Sequence, residues 1–275
     1  MGKKDVVTVD LSVERGYLYK LPDSFGIQIG KVHGIGKRGN QEDCFGISDI
    51  TEQGLYDKGI LVALSDGMGG MLSGEKASTA AVISCLQYFE NVPVAEGQSP
   101  RQYLEEMVLN ANEDVITALG DSSGAGGATF IAAYIDGCVV NWISVGDSHI
   151  YLYSGGRLIQ LNKEHNYGAE LDMKVAEGEI SEAEARNHPQ RRALTSFMGI
   201  EDLTLMDSNE MPLIMMPGDM LILMTDGIFG TLTDEEIIAK LDNPVEKIAM
   251  SVHMEVENRQ KPNQDNYTGI FIRFD

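Results

Sequence analysis

Two pairs of β-rich runs stand so close together in the middle of this chain that each must fold back on itself. Residues 129–135 and 139–145 are separated by Asp136-Gly137-Cys138, and residues 150–153 and 158–161 by little more than Ser154-Gly155-Gly156. Such short links hold a tight turn but no crossover, which needs a dozen residues or more, so the sheet they build is antiparallel. Upstream, Leu104, Met107, Val108, Ala111, Val115 and Leu119 recur at helical spacing, and residues 77–89 read as a second packed helix. Downstream, the pattern predicts a strand at 220–225, helices around 234–241 and 245–256, and a closing strand at 267–274. Strands joined directly to strands, with helices arriving in pairs, predict layered α+β packing rather than a repeated βαβ winding.

No repeat, low-complexity tract or linker divides the sequence, so one domain is expected over residues 1–275, with 1–27 as an N-terminal extension or edge strand. Residues 164–199 differ: they are polar and helix-leaning and lead to His188-Pro189, which predicts a surface flap.

Charge narrows the function. The chain has 42 Asp and Glu against 21 Lys and Arg, a net −21 that repels nucleic acid and anionic membranes. An acidic protein that handles an anion needs local positive charge or a metal. Asp136 and Asp147 interrupt the most apolar region, so no spanning helix is expected. The first residues lack a signal-peptide run, and Val6 stands where myristoylation wants Ser or Thr, which makes the cytoplasm the expected compartment. Cys44, Cys85 and Cys138 are too dispersed for a disulfide framework or a CxxC site and are expected to be buried thiols. The single tryptophan, Trp142, and the methionine-rich run 211–224 are expected in the core.

The acids themselves recur beside glycine or asparagine at expected strand ends. Glu42-Asp43 precedes Cys44-Phe45; Asp66-Gly67-Met68-Gly69-Gly70 follows residues 60–64; Asp147 sits in Gly146-Asp147-Ser148, Asp226 in Thr225-Asp226-Gly227, and Asp265-Asn266 precedes the last strand. Hard divalent cations take oxygen ligands, and a carboxylate at a strand end is anchored by the sheet while a following glycine lets a ligand approach the backbone. Any one Asp-Gly pair is also an ordinary turn, as Asp136-Gly137 is expected to be. Their combination from residue 42 to 265 favours an oxygen-rich metal site.

Several chemistries are excluded. The residues six beyond the three cysteines are Ile50, Asn91 and Ser144, not the Arg that a cysteine-dependent phosphatase requires. Gly120-Asp121-Ser122-Ser123-Gly124 spells GxSxG but follows a helix rather than a strand, so it reads as a loop. Gly30-Lys31-Val32 lacks the spacing of a P-loop.

From about Gln28 onward the sequence resembles the metal-dependent protein phosphatases of type 2C in their bacterial form. The resemblance is carried by Arg38 before Glu42-Asp43, Asp66-Gly67-Met68-Gly69-Gly70 with Gly74-Glu75 and Ala77-Ser78, Gly127-Ala128-Thr129, Gly146-Asp147-Ser148, Glu164-His165, Thr225-Asp226-Gly227 and Asp265-Asn266, in that order. The flap matches through Ile180-Ser181-Glu182, Ala185-Arg186, His188-Pro189 and Leu194-Thr195. The resemblance implies a four-layer α-β-β-α sandwich of two antiparallel sheets with a flap, and Mn²⁺ or Mg²⁺, two ions and a weaker third, in a cleft at one end. Asp66 would bridge two ions, Asp226 and Asp265 would complete one, Glu42 and the Gly67 carbonyl the other; Asp43 would orient a water and Asp147 would serve the third ion. Arg38 would clamp the phosphoryl group. The implied activity is hydrolysis of phosphoserine and phosphothreonine in protein substrates, opposing a Ser/Thr kinase.

Met68, Met71, Gln41 and Ser196 depart from common family residues, which touches substrate binding and rate more than reaction class. His165 is expected to be structural, at the end of a hairpin. Two other readings stand beside the enzyme: a pseudophosphatase that binds phosphoprotein without turnover, and an acidic structural protein whose Asp-Gly pairs are only turns. Outside the six candidate acids a net −15 remains, which favours substrates with basic flanks.

Overall fold

The computed structural model describes residues 8–9, 17–19, 26–48, 58–69, 73–122 and 126–275. Eight described strands form one antiparallel sheet, in the order β1 (Thr8–Val9), β4 (Asp43–Ile47), β5 (Ile60–Gly69), β7 (Phe130–Asp136), β8 (Val139–Val145) and β11 (Asp207–Ser208), with β6 (Gly126–Ala128) beside β5 and β12 (Leu213–Ile214) beside β8. Six form the second, in the order β10 (Arg157–Gln160), β9 (His149–Ser154), β13 (Met220–Met224), β14 (Tyr267–Phe274), β3 (Ile27–Gly34) and β2 (Tyr17–Tyr19). Helices α1 (Ser73–Asn91) and α2 (Pro100–Leu119) cover the first sheet. Helix α3 (Tyr167–Ala176) and the short α4 (Glu182–Arg186) lie within residues 164–199, the segment expected to be a flap. After β13 come the one-turn α5 (Asp226–Phe229), then α6 (Asp234–Leu241) and α7 (Val245–Asn258), which pack on the second sheet. The α-β-β-α sandwich expected from the resemblance is thus observed.

Period-two alternation sorts each strand between two cores. Along β5, Leu61 and Ala63 face the α1–α2 layer, while Ile60, Val62 and Leu64 enter the inter-sheet core with Phe45, Ile47, Ile131 and Trp142. Along β13, Met220, Ile222 and Met224 face α6 and α7, while Leu221 and Leu223 face the inter-sheet core with Ile270 and Ile272 of β14. Each fully buried side chain of this size contributes about 1.5–3 kcal/mol. Helix α2 starts where Ser99 and Gln102 form a reciprocal capping box ahead of Pro100.

Four details differ from the sequence reading. Strand β5 continues to Gly69, so Asp66 and Gly67 lie inside it; both edges remain paired there, to Asp43 of β4 and Ala128 of β6. Strand β3 was not foreseen: its apolar signal is diluted by Gly30, Lys31, His33 and Gly34, although Lys31 and His33 are buried. Cys138 is exposed in the β7–β8 turn, where Gly137 has φ 58°, whereas Cys44 and Cys85 are buried. In the methionine run, Met215, Met220 and Met224 are buried, but Met211 and Met216 are exposed in the connections flanking β12. Gly70, Met71, Ser123, Gly124 and most of 1–27 lie outside the described residues. No described helix is long and apolar enough to cross a membrane.

Candidate active site

The alternation that buries the inter-sheet core also delivers acids to its open end. Asp43 continues the parity of Phe45 and Ile47, and Asp66 that of Ile60, Val62 and Leu64. The two aspartates occupy facing register positions on β4 and β5. In the second sheet Thr225 follows Leu221 and Leu223 in parity, and Thr268 precedes Ile270 and Ile272. All four therefore meet between the sheets. The hydroxyls of Thr268 and Thr225 donate to Asp43 Oδ2 at 2.6 and 3.0 Å, with His33 Nδ1 2.9 Å behind Thr268. Asp43 Oδ1 is buried and has no hydrogen-bond partner among the described residues.

The remaining acids arrive from loops and one helix start. Asp226 opens α5 directly after its N-cap, Thr225. Asp265 accepts the Asn266 N–H at 2.9 Å and Arg38 Nη2 at 2.6 Å. Asn266 then holds the β3–β4 connection at three points: its Oδ1 accepts the Glu42 N–H at 2.8 Å, and its Nδ2 donates to the carbonyls of Ile35 and Asn40 at 2.9 and 3.0 Å. The Gly67 N–H donates to the Glu42 carbonyl at 3.0 Å. A Cβ on Gly74 would lie 3.0 Å from both the Glu42 carboxyl carbon and the Gly67 carbonyl oxygen, so these two candidate ligands adjoin the same point of α1. A Cβ on Gly67 would fall 2.3 Å from the Gly74 oxygen; glycine is required there.

Asp147 lies in the β8–β9 turn, with Asn166 Nδ2 3.4 Å away; the same amide donates to Glu164 at 2.7 Å. Glu164 in turn holds His149 Nε2 at 2.6 Å, a bond that keeps the Glu164 carboxyl below its usual range. His165, expected to be structural, is buried, and its Nδ1 accepts the Gly146 N–H at 3.2 Å.

The electrostatics record the convergence. Burial, and then the neighbouring charges of Asp43, Asp226, Asp265 and Asp147, push Asp66 well above the carboxylate range. Burial raises Asp43 to about 7 against the two threonine hydrogen bonds, with Asp226 and Asp265 adding to it. Asp147 rises to about 6 through burial and Asp226, and Asp226 rises through burial and Asp265. Glu42 rises through burial, opposed by Arg38. Asp147, Asp226 and Asp265 line a cleft of about 240 Å³, and Arg38, Asn40 and Glu42 line a recess nearby. Among the described residues, no three His, Cys, Asp or Glu side chains stand together at metal-ligand spacing; Asp265 is paired with Arg38 instead.

The structure thus brings Arg38, Glu42, Asp43, Asp66, Gly67, Asp226 and Asp265 to one end of the sandwich, with Asp147 on the flap side. Sequence reasoning missed Thr225 and Thr268 as partners of Asp43, and the bracing by Asn266. Their signal was parity with the flanking core residues, visible once the strand ends are placed.

The pattern of the protein phosphatase 2C family matches residues 40–265, and the chain belongs to that family. The serine/threonine protein phosphatase PstP of Mycobacterium tuberculosis is 30% identical over 214 residues, which are 75% of this chain and 38% of that protein. The serine/threonine phosphatase of S. agalactiae superposes with a TM-score of 0.78 at 23% identity, over 90% of this chain and 100% of that one. The catalytic domain of PstP, solved in complex with two manganese ions, gives a TM-score of 0.68 at 24% identity over 90% of this chain and 97% of that one.

Proposed function

We propose that this chain hydrolyses phosphoserine and phosphothreonine in proteins, with two divalent cations, Mn²⁺ or Mg²⁺, and a third bound more weakly, and that it opposes a Ser/Thr kinase. The observation that carries the reading is the convergence of Asp43, Asp66, Asp147, Asp226 and Asp265 in one electrostatically coupled group beside Arg38. Hard cations fit this site. Every donor is oxygen, Asp43 keeps a buried oxygen without a partner among the described residues, and burial together with neighbouring acids lifts carboxyls that a cation would relieve. Asp66, Asp226 and Asp265 would hold one ion, Asp66, Glu42 and the Gly67 carbonyl the other, and Asp147 the third. When bound, the ions supply an activated water and positive charge against the phosphoryl group.

The chain's own groups do the rest. Asp43, fixed by two threonine hydroxyls, orients a water through its remaining oxygen. Arg38 spends one bond on Asp265, and its half-exposed guanidinium retains planar N–H donors for phosphoryl oxygens. The β4–β5 pairing and the Asn266 brace keep these groups in place as substrate enters. No cysteine or serine nucleophile is required. Hydrolysis of p-nitrophenyl phosphate and of a phosphothreonine peptide, with and without Mn²⁺, tests the reading on wild type and Asp226→Asn. Mn²⁺-stimulated turnover that Asp226→Asn abolishes is expected; turnover in neither protein overturns it.

A further inference from the structure

The chain as a whole is strongly acidic, yet the cleft beside Asp226 gathers cations. Arg191, Arg192 and Lys261 line it against four acids, Asp147, Glu164, Asp226 and Asp265. The two adjacent arginines are used differently. Arg191 makes a bidentate pair with Asp172 at 2.9 and 2.7 Å, and its carbonyl packs so tightly on Gly168 that a Cβ there would lie 2.9 Å away. With the Tyr167 N–H donating to the Ala193 carbonyl at 2.8 Å, this clamps the loop after His188 onto α3. Arg192 is exposed, and no hydrogen bond or ion pair among the described residues engages it.

Lys261 approaches from the loop between α7 and β14, just after Gln260, whose φ of 46° turns the chain sharply. Its ammonium donates to the Gly230 carbonyl at 2.9 Å, which leaves two N–H directions. Arg192 and Lys261 line the same cleft as Asp226, so both cations stand beside that carboxylate.

We propose that Arg192 and Lys261 form an oxyanion subsite for the substrate, one that receives a carboxylate or a second phosphoryl group carried next to the scissile phosphoresidue. The inference rests on the phosphatase reading above and deepens it. The net charge of −21 by itself favours basic flanks. The Arg192 and Lys261 corner of the cleft reverses that preference at close range, because a guanidinium that no described residue engages and a half-used ammonium match an oxyanion and repel Lys or Arg.

Four phosphothreonine peptides that differ only in the neighbouring residue, Ala, Asp, phosphoserine or Lys, test it with Mn²⁺ on wild type, Arg192→Ala, Arg192→Lys and Lys261→Ala. Wild type is expected to favour Asp or phosphoserine over Lys by about tenfold in kcat/KM, the scale of one good charge contact. Arg192→Ala should erase most of that preference through KM, Lys261→Ala part of it, and Arg192→Lys should restore part. Arg101→Ala, whose guanidinium pairs with Glu105 on the surface of α2, should leave it intact. A preference for phosphoserine alone, or for Asp alone, identifies the oxyanion. The same preference in wild type and Arg192→Ala, or a wild-type preference for Lys, overturns the proposal. Absence of Mn²⁺-stimulated turnover on all four peptides would instead sink the phosphatase reading. Fluorescence anisotropy of the labelled peptides then decides the subsite alone: tighter binding of acidic peptides that Arg192→Ala loses supports it, and equal binding refutes it.

Discussion

Replacing Asp43 by Asn removes a charge that the fold holds against its own preference. Asp43 is 4% exposed, and its carboxyl rises from 3.8 to about 7. The folded state therefore binds this proton more tightly than the unfolded chain. The group favours folding most fully below about pH 4, and its contribution is lost as pH rises toward 7. At 1.36 kcal/mol per pH unit, the raised Asp43 carboxyl costs the folded protein, relative to a group that stays neutral, about 4 kcal/mol at pH 8 and about 2 kcal/mol at pH 5. The Asn oxygen can still accept from Thr225 and Thr268, so the substitution removes the charge and keeps that anchorage. An unfolding entropy of roughly 2.1 cal/mol/K per residue over 275 residues converts these costs to about 7 °C and about 3 °C. Thermal melts in EDTA, followed by circular dichroism, should give Asp43→Asn a higher Tm than wild type by these amounts at pH 8 and pH 5. Wild type alone should melt higher at pH 5 than at pH 8. Equal melting of the two proteins at both pH values, or a lower Tm for Asp43→Asn at pH 8, would refute the argument that burial and the neighbouring acids disfavour the ionised Asp43.

Arg38→Ala should raise KM for a phosphothreonine peptide tenfold or more in steady-state kinetics, with Arg38→Lys only partly restoring it, since Lys lacks the planar fork. Its pair with Asp265 is half exposed, so Tm in EDTA should change by no more than the effect of about 1 kcal/mol. Gly67→Ala forces a Cβ against the Gly74 backbone oxygen, and calorimetry should show a loss of about 1–3 kcal/mol together with a weaker Mn²⁺-induced rise in Tm. Asn266→Ala removes three hydrogen bonds that brace Glu42 and the Arg38 loop; denaturant melts should show a loss of about 2–3 kcal/mol, and Mn²⁺ titration a weaker affinity.

Much of the candidate site could be read from the sequence because its acids sit where backbone chemistry is restrictive. Asp66 is followed by a glycine that no other residue could replace beside Gly74, and Asp147 is preceded by Gly146 at φ 95°. Hairpin links and helical periods likewise revealed the α+β layering, since local spacing determines both. The hidden parts depend on partners far apart in the chain. Thr225, just past the end of β13, and Thr268 in β14 are ordinary threonines until two sheets face each other and bring Asp43 between them, 182 and 225 residues away. Strand β3 conceals itself because polar Lys31 and His33 are buried in it. Arg192 was one of two indistinguishable arginines; only the fold shows that Arg191 is committed to Asp172.

The central claim is that these acids bind cations that drive phosphate release, and counting ions and turnover on one sample tests it most directly. Mn²⁺ bound per chain by equilibrium dialysis would be measured beside phosphate release from a phosphothreonine peptide, for wild type and Asp66→Asn. The account predicts at least two ions per wild-type chain, turnover that rises with their occupancy, and loss of both binding and turnover in Asp66→Asn. Equal Mn²⁺ binding in the two proteins, or full occupancy without phosphate release, would contradict it.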